Sequence, residues 1–571
     1  MEQFDYIIVG GGSSGCVLAS RLSEDPHTRV LLIEAGPDTP PYDVPESIYA
    51  EGYLPDYFNE IRYWTDLTVY RDPTGNKAPS QVEAELAAHR YEQARVMGGG
   101  SSVNGQVALR GIPSDYNGWA AAGAEGWSYV ECLPYFRRLE RDMDFTGPEH
   151  GQDGPIAIQR TLPEDWAGFA LAFREAMGEK GLVYADDCHA VHRDGCFPFP
   201  KNNVYGRRIS TAVGYLSSVV RRRPNLKIIS DTLVDAILFE GNAACGVETA
   251  PRAGSGSARY GGGEVVLCAG ALHSPAMLMR AGVGPGEHLR EMGIAVRSDL
   301  PGVGQNLQDH PLIGLGVHLK PEARLNSKML NSFLVYGRFT SGFDGCPSGD
   351  MKISLGNRFD QTPIGHQIGV VRVGPDKALS RGEVRLKSSR SRQEPYVSFN
   401  LLSDPRDLER MKFGVRFAIG LLQSPVIAAA SYSVFAGAYT DWIRRLSSKT
   451  VLNRIITKTG ALALDSHTIV RRLIIGMAAS GYDIERMKTD DRELERFIGD
   501  TVLGNWHACG TVSMGSRINR MACVDPEGRV YGVDGLRVAD ASVMPSIPCA
   551  NINLTTIMIA EKLSDAIVKA A

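Results

Sequence analysis

The stretch Tyr6-Ile7-Ile8-Val9-Gly10-Gly11-Gly12-Ser13-Ser14-Gly15-Cys16-Val17-Leu18-Ala19-Ser20-Arg21-Leu22 decides the fold. Tyr6–Val9 is a short apolar, β-branched run without alternation, the mark of a strand covered on both faces in a parallel sheet. From Cys16 the apolar residues fall at helical spacing. A second apolar run, Val30–Ile33, ends at Glu34, 24 residues after Gly10. Strand, glycine turn, helix, strand and acid together form a dinucleotide-binding unit. Gly10 makes the tight turn, Gly12 lets backbone approach a pyrophosphate, and Gly15 lets helix pack on strand. The helix N-terminus offers unpaired N–H groups and the positive dipole end to the phosphates. Glu34 is placed to accept ribose hydroxyls and would repel a 2′-phosphate, which argues against NADP.

Outward from that stretch, the chain has 571 residues with 61 Lys and Arg against 65 Asp and Glu, a formal net charge of −4. This balance gives no electrostatic reason to bind nucleic acid. Its 62 glycines make nearly 11% of the chain, against a usual 7% or so. Ten scattered cysteines form no Cys-x-x-Cys pair, and no His pairs with Cys at zinc-like spacing, so neither a metal site nor a disulfide framework is expected. The N-terminus lacks a basic n-region and apolar h-region, and no apolar run reaches about 18 residues. The expectation is a cytoplasmic protein.

Four further segments carry pattern. Arg95-Val96-Met97-Gly98-Gly99-Gly100-Ser101-Ser102-Val103-Asn104-Gly105 puts bare backbone against a flat or phosphorylated ligand. Glu264–Gly284 reads as a buried strand, a glycine turn and a short helix starting near Ser274-Pro275, with Ser274 as cap and Pro275 in the first turn. Asp299–Pro311 is turn-rich and polar. The last segment holds Asn505-Trp506-His507, Gly535–Ser542 and Pro548-Cys549-Ala550-Asn551-Ile552-Asn553. Ala253–Gly263 reads as a flexible hairpin loop.

Five separated motifs in this order resemble the glucose–methanol–choline family of flavin-dependent alcohol oxidoreductases, from Asp5 to the last helix. Within it the chain most resembles bacterial oxidases of furanic and aryl primary alcohols, through Gly154–Ile158, Phe399–Leu408 and Trp506-His507-Ala508 with Asn551. The resemblance implies an α/β fold: a Rossmann-like FAD-binding domain and a second α+β domain on an antiparallel sheet. It implies FAD held by Gly10, Gly12, Gly15, Glu34, Gly99, Ser102, Asn104, Val234, Asp540 and Asn553, with Val234 offering backbone to the adenine. Some members tether FAD through a His just after the two serines; Val103 stands there, so noncovalent FAD is expected.

The chemistry needs a base for the hydroxyl proton, a group holding the oxygen, and an electrophile facing the C–H bond. The resemblance assigns these to His507, Asn551 and flavin N5; Asn553, two residues on, is the alternative to Asn551. His507, with a reference pKa of about 6.5, is neutral near pH 7. His310 and His273 read as structural, His310 outside the pocket. Trp506 reads equally as pocket wall or core.

The motif spacing makes the cofactor unit discontinuous, from 1–110, 206–311 and 499–571. Residues 111–205 and 312–498 supply the substrate unit, where Met351–Leu355 and Glu383–Lys387 alternate as strands with one wet face. Residues 441–480 depart from the family pattern, mixing seven Lys or Arg with apolar residues at helical spacing. They read as a lid or subunit contact, or as helices docking on a membrane surface or partner. The expected reaction oxidises a small primary alcohol to the aldehyde with O2 as acceptor. The rivals are a dehydrogenase passing electrons to a quinone or protein, and a non-redox lyase retaining FAD.

Overall fold

The computed structural model describes all residues except 51–59, 72–76, 78, 252–255, 327–328, 330–331, 438–445, 447–449, 467, 479–480 and 571. The opening run forms the strand Glu2–Val9, the helix Ser13–Leu22 and the strand Val30–Ile33. Ile7, Ile8 and Val30–Ile33 are fully enclosed, as a strand covered on both faces requires. A parallel array runs Leu226–Ile229, Val30–Ile33, Glu2–Val9, Arg259–Leu267. The last of these forks: residues 259–261 pair antiparallel with Ala243–Thr249, while Val265–Leu267 pair in parallel with Leu536–Val538. Val234–Glu240 completes the sheet against Ala243–Thr249.

Two local expectations change. The hairpin loop ends by Arg259, and Gly261–Gly263 belong to a strand; residues 252–255 lie outside the described chain. Glycine is required there by crowding: a Cβ would lie 2.4 Å from the Gln3 amide at Gly261 and 2.8 Å from Ile7 at Gly262. The helix expected from Ser274 begins at Gly270, leaving Pro275 inside it. An internal proline leaves the carbonyl four residues back without its N–H. Here the Thr511 hydroxyl donates to that Ala271 carbonyl at 2.6 Å.

The second sheet is antiparallel throughout, in the order Ser431–Ala436, Pro311–Leu319, Ile368–Pro375, Met351–Gly356, Phe333–Phe339, Gly195–Pro198. Leu503–Gly504 joins it beside Leu312 and Pro311, bringing the chain before His507 onto the sheet edge. Odd-numbered apolar residues such as Ile313, Leu315, Ile353, Val371 and Val373 are buried on one face, where the helix Pro405–Leu422 packs. Met351–Gly356 has no wet face; Lys352 and Ser354 are 5% and 6% exposed and turn toward an internal cavity. Glu383–Arg385 does alternate, in a separate two-stranded sheet.

Residues 113–139, expected in the substrate unit, form helices Pro113–Ala121 and Tyr129–Leu139 that pack against the C-terminal helix Asn553–Ala570 and the loop before it. The Tyr116 hydroxyl meets Thr555, the Trp119 indole donates to the Ser546 carbonyl, and Arg138 pairs with Asp565. In the basic region, helices Val451–Ser466 and Thr468–Ala478 are present; Arg444, Arg445 and Lys449 lie outside the described residues. Among the described residues, no helix is long and apolar enough to cross a membrane.

Candidate active site

A cavity of about 1340 Å³ runs between the two sheets. One end is floored by the glycine turns, and the other is roofed by the second sheet over His507, Asn551 and Trp506.

At the first end the three fingerprint glycines have separate physical reasons. Gly10 has φ +104°, and a Cβ on it would lie 2.5 Å from the Cys268 carbonyl oxygen. A Cβ on Gly15 would lie 1.9 Å from the Gly10 carbonyl oxygen. Gly12, just before the helix, meets no protein atom closer than 3.8 Å, so its bareness faces the cavity. Gly99, with φ +51°, packs against the Gly12 backbone; Gly100 faces open space.

The polar groups around this cradle are set by backbone. Glu34 takes the Gly11 and Gly36 N–H groups at 2.8 Å each, and burial raises its carboxyl above the ordinary range. Asp540 accepts the Gly270 N–H and the Ser274 hydroxyl on one oxygen, and Ser542 on the other. Ser274 thus serves Asp540 rather than capping a helix. Asn104 accepts from Gln106 N and Arg208. Asn553 accepts the Ser13 hydroxyl at 2.9 Å, and its buried Nδ2, with no partner among the described residues, belongs to the cavity wall. Val234 and Val103 also line the cavity. Ser102 does not: it is wholly buried and donates its hydroxyl to the Met97 carbonyl, closing the turn. A bare Gly12, an orphaned amide donor and a helix N-terminus fit a flavin dinucleotide.

At the second end His507 and Asn551 meet, with Asn551 Nδ2 3.0 Å from His507 Nε2. The ring's other nitrogen, Nδ1, lies 2.7 Å from Nδ1 of His310. His310 is therefore in direct contact with the site, contrary to the sequence expectation. Its Nε2 faces two carbonyl oxygens, Asp376 at 2.8 Å and Pro548 at 3.0 Å, and so carries a proton. Neutral His310 then presents a lone pair at Nδ1, which His507 meets by donating from its own Nδ1 at 2.7 Å; the Asn505 amide nitrogen approaches the same atom only at 3.4 Å, and the shorter contact sets the tautomer. That leaves the His507 Nε2 lone pair at the cavity wall, where it accepts from Asn551 Nδ2 at 3.0 Å.

Burial holds both imidazoles well below their ordinary range, helped for His507 by His310 and Lys352 and for His310 by Lys352. Asp309 fixes the loop, accepting backbone N–H groups from His310, Asn505 and His507, and burial pushes its carboxyl up to about 7. Trp506 is cavity wall, held at φ +56° with its indole donating to Glu92. His273 pairs with Glu394 at 2.9 Å.

A second polar cluster lies outside the cavity. Glu140, Asp142, His150 and His189 bring potential ligand atoms within 4.8 Å of one another, a juxtaposition that cysteine spacing could not signal. Arg110 sits on Glu140, Arg160 meets both Asp142 oxygens at 2.9 Å, and His150 bridges Asp142 and Asp187.

The GMC oxidoreductase N-terminal family model matches residues 4–312 and the C-terminal model residues 378–560. The chain belongs to the GMC oxidoreductase family. It is 39% identical to 5-(hydroxymethyl)furfural oxidase of Methylovorus sp. (strain MP688), over all of this chain and 99% of that one. It is 34% identical to an oxygen-dependent choline dehydrogenase of Klebsiella pneumoniae subsp. pneumoniae, over 99% of this chain and 96% of that one. The crystal structure of pyridoxine 4-oxidase from Mesorbium loti superposes with a TM-score of 0.80 at 27% identity, covering 99% of each chain. The GMC chain is thus an FAD-dependent alcohol oxidoreductase with the two-part fold expected from its sequence.

Proposed function

We propose that this GMC oxidoreductase oxidises a small primary alcohol on an aryl or furanic ring to its aldehyde, with dioxygen taking the electrons to give hydrogen peroxide. The observation that carries the reading is the His507–Asn551 pair, whose Nε2 lone pair faces a cavity continuous with the Gly10–Gly15 cradle. The ring assignment draws on the similarity to the Methylovorus oxidase over the full chain.

Bound flavin supplies the acceptor for the hydride leaving the alcohol carbon. His507 Nε2 takes the hydroxyl proton, and the imidazolium that forms is held through Nδ1–H by His310. Asn551 Nδ2 donates to the substrate oxygen as negative charge develops, without competing for the proton. Gly12, Gly99 and Glu34 would face the dinucleotide, Gly10 and Gly15 would shape the turn beneath it, and Asn104, Val234, Asp540 and Asn553 would lie along its path. Val103 has no nucleophilic atom, so FAD is held noncovalently; acid precipitation should leave a colourless pellet, and a yellow one rejects this.

An anaerobic panel of alcohols followed by flavin bleaching, then admission of air, tests the whole reading. Bleaching by benzylic or furanic alcohols with rapid reoxidation is expected; bleaching without reoxidation moves the assignment to a dehydrogenase, and no bleaching by any alcohol rejects it.

One observation favours a quinone or protein acceptor as the second reading. Val451, Leu452, Ile455, Leu462, Ile469 and Leu473 are all exposed on the helices Val451–Ser466 and Thr468–Ala478, beside Arg454, Lys458 and Arg472. Co-sedimentation with anionic liposomes at low salt is its measurement, and protein left wholly in the supernatant removes the membrane form.

A further inference from the structure

Sheet register sorts the roof of the cavity into rows. Even-numbered residues of three adjacent strands face it: Leu312, Gly314 and Gly316; Lys352 and Ser354; Val370 and Arg372. Gly314, Arg372 and Ser354 stand side by side across one row, and Gly374 and Lys352 across the row before it. The strand from Pro311 starts directly after His310, so the Lys352 row is nearer the imidazoles; Lys352 is the cation acting on both of them. Two residues further along the strand, roughly 7 Å, comes Arg372.

The two cations differ in their partners. Lys352 Nζ lies 2.8 Å from Asp376, and both side chains are buried, so its charge is matched within the protein. Arg372 makes no hydrogen bond or ion pair among the described residues, and its Nη1 is buried without a partner. Its guanidinium lies over the Phe333 ring at 5.3 Å, which orients the plane but accepts no hydrogen bond. Asp360, also at the wall, accepts the Thr362 N–H and hydroxyl on Oδ1. Gly314, opposite Arg372, would find only Val370 near an added Cβ, at 3.5 Å, so the row has room for a ligand. An unpaired, partly desolvated guanidinium costs free energy that a planar anion recovers by bidentate contact.

We propose that Arg372 is a specificity residue that binds a carboxylate on the substrate, at the end of the ring opposite the reacting CH2OH. The Arg372 row lies beyond the Lys352 row as seen from the imidazoles, and Arg372 Nη1 reaches to within 3.0 Å of where a Cβ on Gly356 would stand, so a group that it binds belongs at the end of the ring away from the reacting CH2OH. This inference rests on the alcohol-oxidase reading and adds the charge of the substrate to it.

The test compares 4-(hydroxymethyl)benzoate with benzyl alcohol on the FAD-loaded enzyme, as kcat/KM and by anaerobic flavin bleaching. The wild type should prefer the carboxylate, mainly through a lower KM. Arg372→Leu should reduce that preference about 30- to 100-fold, as loss of a hydrogen-bonded charge partner implies, and Arg372→Lys should restore part of it. Binding of benzoate, read as a perturbation of the flavin spectrum, should weaken in Arg372→Leu independently of turnover. Equal or greater wild-type kcat/KM for benzyl alcohol, or a preference unchanged in Arg372→Leu, overturns the carboxylate site and leaves the alcohol-oxidase reading standing. Bleaching by neither compound nor by any other alcohol overturns both.

Discussion

A histidine is a useful base only when the right nitrogen is free, and here that choice is made outside His507. His507→Ala should lower turnover by about 10²- to 10⁴-fold, the usual contribution of a positioned base, while the visible flavin spectrum shows FAD still bound. Retained turnover with altered substrate range would reject His507 as base. His310→Phe removes the acceptor that fixes the tautomer and should cost about 10- to 100-fold, as small misplacements do, again with FAD content unchanged. Because burial lowers both imidazoles, the neutral forms persist to lower pH than an ordinary histidine allows. The acid limb of kcat/KM should therefore fall below about pH 6.5; a limb centred there or higher contradicts it. His507 and Asn551 were readable from their motifs. His310 was not, since its role depends on carbonyls 66 and 238 residues away.

At the scale of elements, the fingerprint separates into parts that hold the protein and a part that faces the cavity. Gly15→Ala drives a methyl into the Gly10 carbonyl oxygen and should abolish soluble expression. Gly12→Ala makes only ordinary van der Waals contacts, at 3.8 Å to the Cys268 carbonyl oxygen and 3.9 Å to Gly99, and should fold, with FAD retention on gel filtration sharply reduced. Equal behaviour of the two variants would remove this distinction. The helix Gly270–Arg280 depends on a repair from 240 residues away, the Thr511 hydroxyl on the Ala271 carbonyl. Thr511→Val should cost about 1–2 kcal/mol of stability by leaving that carbonyl unpaired, seen as a lower urea midpoint. Sequence spacing placed this helix four residues late, because proline normally marks a first turn and the distant hydroxyl was invisible.

Across the whole molecule, the ion network around His150 joins the Glu140–Asp142 strand to the 187–189 loop. Hydrogen bonds to Asp142 and Asp187 outweigh burial and raise His150 to about 9. A pKa raised on folding stabilises fully below the unfolded value near 6.5 and loses that contribution as pH climbs through the folded value. The Tm difference between wild type and His150→Gln should therefore shrink between about pH 6.5 and pH 9; a constant or widening gap would contradict it.

The sequence by itself determined the parallel array around Tyr6–Val9, the two-part α/β architecture, the family and the His507–Asn551 pair. The array is written in local periodicity and in glycines whose backbone demands survive any context; the architecture, the family and the pair came from motifs that resemble those of a known family. Tertiary structure alone decided which polar groups act together. It turned the alternation at Met351–Leu355 from a solvent face into a cavity roof, and moved residues 113–139 onto the C-terminal helix. It also left Arg372 unpaired while matching Lys352 with Asp376. Alternation in a sequence records only that one face of a strand is polar. Whether that face meets solvent or a ligand depends on what the rest of the chain packs against it.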